Sequence, residues 1–191
     1  MLIFSSIDPA VELILRLLLA FVFTGTVFHK LAEPRKFRDT VRDYGLLPGS
    51  LVMPVAAGLI VLECITVITL LVPVTASVGA WFACMLLLLY SLSITINLMR
   101  GRTRIDCGCT GFVRQGGQLT GWLLARNLPL VFISLLGTLP VQPRELAAWD
   151  IAVVICASLA LSMLYSSVNH LLVSGPRLRA LMMNMGDEYG R

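Results

Sequence analysis

Two apolar runs, Leu51–Val72 and Ala76–Leu98, are separated only by Pro73-Val74-Thr75. Crossing about 30 Å of hydrocarbon takes roughly 20 mostly apolar residues in a helix, and each run meets that length. In lipid, backbone polar groups must be satisfied within the segment, so a lone run of this kind is a helix. A link this short then leaves one arrangement, a tight antiparallel pair of spanning helices. Three further segments have the same character: Ala10–His29, roughly Leu119–Leu139, and Trp149–Val173. The pattern predicts an all-α polytopic membrane helix bundle of about five transmembrane helices, forming a single integral membrane domain over residues 1–191. The chain has no internal repeat, which argues against a transporter.

Composition points the same way. Charged residues make up 14% of the chain and hydrophobic ones 57%, with a mean hydropathy of +0.85. A soluble domain carries about a quarter charged residues, so lipid must cover much of this surface. The net charge of +4 does not indicate nucleic-acid binding, because the basic residues lie between apolar spans without aromatic interleaving. The N-terminal MLIFSSIDPAVELILR lacks the positive n-region and small-residue cleavage site of a secretory signal and is expected to be retained.

The basic residues are unevenly divided. Lys30–Ser50 carries five, Met99–Gln118 four and the tail after Val173 three, whereas the opposite side has only Arg144. The positive-inside rule therefore places the first loop, the Met99–Gln118 loop and the C-terminus in the cytoplasm, with the N-terminus outside.

Of five cysteines, Cys64, Cys84 and Cys156 lie within apolar runs, and only Cys107 and Cys109 lie in a polar segment, RIDCGCTG at Arg104–Gly111. The odd count excludes a complete disulfide framework. Gly108, lacking a Cβ, permits the bend that brings two cysteines within the Cα separation of about 4.4–6.8 Å a disulfide needs. So small a ring removes little chain entropy, which makes it a poor staple, and its strain suits exchange. Arg102 and Arg104 favour a thiolate, and Asp106 opposes it. Two other readings stay open. The pair is inert in a glycine-rich turn, or it is half of a metal site completed by His29 or by a second chain, since zinc wants four ligands.

Ionisable groups inside a span cost at least about 2.5 kcal/mol each at its centre and so have partners or functions. Glu63 lies mid-span, with Arg16 and Arg126 as the candidates to neutralise it; Glu12 and Arg16 are spaced to pair along one helix face. The bland reading is an ion-pair network that fixes packing. The sharper one is a cavity lined by Glu63 or Arg126, serving a quinone or a proton path. Arg126, with Asn127 beside it, sits about two turns into the helix that follows the cysteines. Cys64, Cys84 and Cys156 read as core residues, with Cys84 and Cys156 at similar depth as an alternative second redox station. His29 and His170 read as interfacial.

RLLLAFVFTGTVFHKL at Arg16–Leu31, YGLLP at Tyr44–Pro48, Glu63, RGRTRIDCGCTG at Arg100–Gly111 and Arg126-Asn127 occur here in an order and spacing that resemble the DoxX/MauE family of methylamine-utilisation membrane proteins. The chain departs from it at Thr110, where relatives carry an aromatic residue, and at His29, where small residues are usual. The resemblance implies a role in maturing methylamine dehydrogenase, a periplasmic enzyme whose β-subunit is rich in disulfides. A thioredoxin-like partner, MauD, would exchange disulfides with Cys107 and Cys109, and a quinone would act as electron sink. A four-helix core of the VKOR/DsbB type and a bacterial inner-membrane location are further implications. The alternative is a non-catalytic scaffold for MauD and the β-subunit. These implications conflict with the basic loops, which put Cys107 and Cys109 in the cytoplasm. Neutralised loop charge, a relay through Cys84 and Cys156, or a structural role for the pair would each resolve the conflict.

Overall fold

The computed structural model describes residues 6–102 and 121–189, with side chains of the last helix described through Leu171. Arg104, Asp106, Cys107, Gly108, Cys109 and Gly111 lie outside the described residues.

The described chain is helical: α1 (Pro9–Ala32), α2 (Pro34–Asp43), α3 (Gly49–Leu71), α4 (Ala76–Met99), α5 (Gly121–Leu136) and α6 (Ala148–Tyr189), with a 3₁₀ turn at Pro73–Thr75 between α3 and α4. Four of these, α1, α3, α4 and the Ala148–Leu171 part of α6, are long and apolar enough to cross a membrane, and α5 is a shorter apolar helix over its described part. The bundle expected from the apolar runs is present. Two features differ from the sequence reading. The Lys30–Ser50 stretch holds a helix, α2, and the tail beyond Val173 continues α6 to Tyr189.

Asp8 starts α1 by accepting a hydrogen bond from the Ala10 N–H at 2.9 Å, with Pro9 in the first turn where its missing donor is harmless. α3 and α4 form the tight hairpin. Gly79 lies so close to α3 that a Cβ there would come within 2.7 Å of the Leu70 backbone nitrogen. Hydroxyls within the spans bond back along their own helices, Thr66 to Leu62 O, Ser93 to Leu89 O and Thr95 to Ser91 O.

α1 is the central helix, packed against α3, α4, α5 and α6, whereas α6 rests chiefly on α1. Leu18, Leu19, Val22 and Phe23 of α1 pack with Leu70, Ala83, Leu86, Leu87 and Leu130 in the main core. The two ends of the bundle are distinct. At one, the extended residue Ile7 pairs with Val141, and Arg144 bridges Asp8 (3.2 Å) and Asp150 (3.1 Å). At the other, Arg100 at the end of α4 donates to the Gly45 carbonyl in the α2–α3 turn at 3.5 Å. In the sequence, Cys107 and Cys109 follow the end of α4 at this second end and precede α5.

Candidate functional site

The core stripes carry polar residues at regular helical spacing. On α1 the buried positions run Leu19, Phe23, Thr26, Lys30, and on α3 Val52, Ala56, Glu63, Thr66, Leu70. Lys30 and Glu63 are both fully buried and form a salt bridge of 2.5 Å. Tyr90 of α4 completes the cluster. Its hydroxyl donates to Glu63 Oε1 at 2.7 Å and accepts from Lys30 Nζ at 3.0 Å. The ammonium also lies 4.5 Å from the ring centre of Phe37 and 4.7 Å from that of Tyr90.

This corrects the sequence reading. Glu63 is neutralised directly by Lys30, not by Arg16 or Arg126. Arg16 pairs with Glu12 at 3.6 Å, as the spacing indicates. Lys30 reads as a loop cation if helix one ends at His29, but α1 continues to Ala32. Its continuation of the Leu19–Phe23–Thr26 spacing is the signal that places it on the inner face. Side chains on a helix lean toward its N-terminus. Lys30 near the end of α1 therefore leans inward, and Glu63 on antiparallel α3 leans back toward it.

Arg126 and Asn127 lie on the inner face of α5. Arg126 Nη1 donates to Asn169 Oδ1 of α6 at 2.6 Å and Nη2 to Asn127 Oδ1 at 3.3 Å, while Asn127 Nδ2 donates to Ser91 Oγ of α4 at 3.2 Å. Arg126 is buried and has no carboxylate partner among the described residues. Glu63 and Arg126 nonetheless line the same interior cavity, of about 20 Å³, with Thr26, Tyr90 and Asn127. Glu63 Oε2 and Arg126 Nε are both buried without a hydrogen-bond partner. The cavity that both residues line has room for a single water. This cavity is far smaller than the roughly 300 Å³ and more of sites for molecules of quinone size.

Cys64 is half-buried, Cys84 buried and Cys156 exposed, and all three are free thiols. Cys84 lies on α4 and Cys156 on α6, and the two are not joined by a disulfide. His29 is half-exposed in the last turn of α1, and His170 is exposed on α6. At the opposite end, the Ala10 backbone N–H and then the Arg144 guanidinium hold the Asp8 carboxyl below its ordinary 3.8.

Four long apolar helices around a buried ionic core define a multi-pass α-helical membrane protein. The family model for methylamine utilisation protein MauE matches residues 8–140. The chain is similar to the MauE proteins of Methylophilus methylotrophus (32% identical, 85% of this chain and 86% of that protein) and Paracoccus denitrificans (38% identical, 68% and 69%). It is also similar to that of Methylorubrum extorquens (35% identical, 76% and 78%). The chain belongs to the MauE family. No solved structure matches it.

Proposed function

We propose that this chain is a bacterial inner-membrane component of methylamine utilisation, built as a single membrane domain, that exchanges disulfides through Cys107 and Cys109. In this reading it acts with a MauD-like thioredoxin-fold protein to mature the β-subunit of methylamine dehydrogenase. Arg104, Asp106, Gly108 and Gly111 shape and charge the segment that holds the pair. The reading is carried by one observation. Cys64, Cys84 and Cys156 are unpaired thiols on membrane-spanning helices, which leaves the polar Cys107-Gly108-Cys109 as the cysteines spaced for exchange. Membership of the MauE family supplies the biological setting.

Exchange balances without a resident cofactor. A thiolate of the partner's dithiol attacks one sulfur of the Cys107–Cys109 disulfide, forms a mixed disulfide and releases the other cysteine as thiolate. The partner's second thiolate then attacks the mixed disulfide and releases the remaining cysteine. Two electrons pass from partner to pair, and the protons lost by the partner's thiols match those taken up by the released cysteines. The same steps run in reverse oxidise the pair.

The test is to replace each cysteine by serine and measure β-subunit accumulation. Loss with Cys107→Ser and with Cys109→Ser supports exchange. Normal maturation with both overturns it and leaves the membrane scaffold. Labelling the pair in intact cells with a membrane-impermeant thiol reagent, before and after reduction, reads the side of the membrane it occupies.

A further inference from the structure

α2 is amphipathic. Phe37, Thr40, Val41 and Tyr44 follow the spacing of one helix face, while Arg35, Lys36, Arg38, Arg42 and Asp43 are exposed. Phe37 and Tyr44 of this face are buried against the bundle, but the packing leaves a gap beside them. Together with Val55 and Leu59 of α3 and Leu89 and Tyr90 of α4, the face borders a groove of about 230 Å³. Leu89 is 45% exposed on the membrane face of α4, so the groove meets the hydrocarbon there.

The rim of this groove is cationic. On α2, Lys36, Arg38 and Arg42 are satisfied locally by Glu33, Asp39 and Asp43. Arg100 and Arg102 differ, having no carboxylate partner among the described residues. Both converge on Gly45, which lies between the groove residues Tyr44 and Leu46. Arg100 donates to the Gly45 carbonyl at 3.5 Å, and Arg102 Nη1 stands 2.6 Å from where a Cβ of residue 45 would lie. Gly45 adopts φ +60° in this turn, so a side chain would be strained there as well as crowded.

An apolar groove open to lipid and two guanidiniums at Gly45 without a carboxylate partner among the described residues fit one kind of molecule. We infer that this end of the bundle binds an anionic phospholipid, with its phosphate on Arg100 and Arg102 and an acyl chain in the groove beneath α2. Guanidiniums recognise phosphate with paired, charge-assisted hydrogen bonds, and basic pockets at the membrane surface select anionic headgroups. A soluble anion would use the arginines but not the groove, and a neutral lipid the groove but not the arginines. The inference does not rest on cysteine chemistry.

The full-length protein, purified in detergent and offered equimolar phosphatidylglycerol and phosphatidylcholine, is read by native mass spectrometry. The expected result is one retained phospholipid with phosphatidylglycerol preferred. Arg100→Gln and Arg102→Gln, both at exposed positions, should each weaken that preference about fivefold. Thr40→Trp, which fills the groove from the surface helix, should lower retention of both lipids, and inorganic phosphate should not displace the bound phosphatidylglycerol. Equal retention of the two lipids by the wild type, unchanged preference in both arginine variants, displacement by phosphate alone, or a retained quinone in place of phospholipid would each overturn the inference.

Discussion

Lys30 stands two residues from the end of α1, within reach of the membrane surface, yet its ammonium turns inward to the carboxylate of Glu63, 2.5 Å away. Basic side chains near helix ends ordinarily extend to the headgroups. Here the pair ties the first spanning helix, α1, to the second, α3, and Tyr90 adds the third, α4. Removing either charge strands the other in the bundle, which typically costs about 3–5 kcal/mol, whereas an apolar replacement of both is often tolerated. Lys30→Met and Glu63→Leu should each lower thermal stability in detergent sharply. The double variant should recover most of the loss, and a double-mutant cycle measures the coupling.

Asn169 holds Arg126 from the neighbouring α6 through a hydrogen bond of 2.6 Å. Hydrogen bonds to charged groups contribute about 1.5–3 kcal/mol. Asn169→Leu should destabilise the bundle by that order, and Asn169→Gln by less, as read by thermal denaturation in detergent. Because α6 rests chiefly on α1 and α5 follows the cysteine segment, the loss should also raise amide exchange along α5.

The spans and the α3–α4 hairpin were legible in the sequence because a run of about 20 apolar residues has few alternatives in lipid. Glu63, Arg126 and Asn127 were also legible as interior groups, and the first two do share a cavity. α2 was not. Its ten residues are dominated by charge, and its few apolar ones, Phe37 and Val41, count only once the helix is laid against the bundle. Lys30 escaped for a related reason: beside Glu33, Arg35 and Lys36 it reads as loop, and only the extra turn of α1 carries it inside. Partner choice depends on where side chains meet in space, which spacing along one helix does not reveal.

Gly79 offers a sharper test of the hairpin. A side chain there meets α3 backbone at 2.7 Å, whereas a Cβ on Gly58 meets nothing within 4 Å. Gly79→Val should abolish or severely reduce membrane accumulation, and Gly58→Ala should leave it near wild type, as measured by quantitative blotting of membranes.

The Asp8–Arg144 contact carries a pH dependence. The folded state holds the Asp8 carboxyl below its ordinary 3.8, so its contribution is fully present above that value and is lost as pH falls through the lowered folded value. Acidification below 3.8 should loosen the Ile7–Val141 pairing, detected as faster amide exchange at residues 7–12. Asp8→Asn, which keeps a capping oxygen but no charge, should remove this loosening, read as protection relative to the intrinsic exchange rate at each pH.

The most direct measurement of the central claim uses a chain in which Cys64, Cys84 and Cys156 are serine, so that only Cys107 and Cys109 remain. Cys107→Ser and Cys109→Ser are then introduced separately, and membranes from methylamine-grown cells are resolved without reductant. Exchange predicts that one variant accumulates a covalent adduct with a thioredoxin-fold protein that dithiothreitol releases, because the cysteine that resolves it is missing. If neither variant forms an adduct and both mature the dehydrogenase at the parent level, the pair does not exchange disulfides.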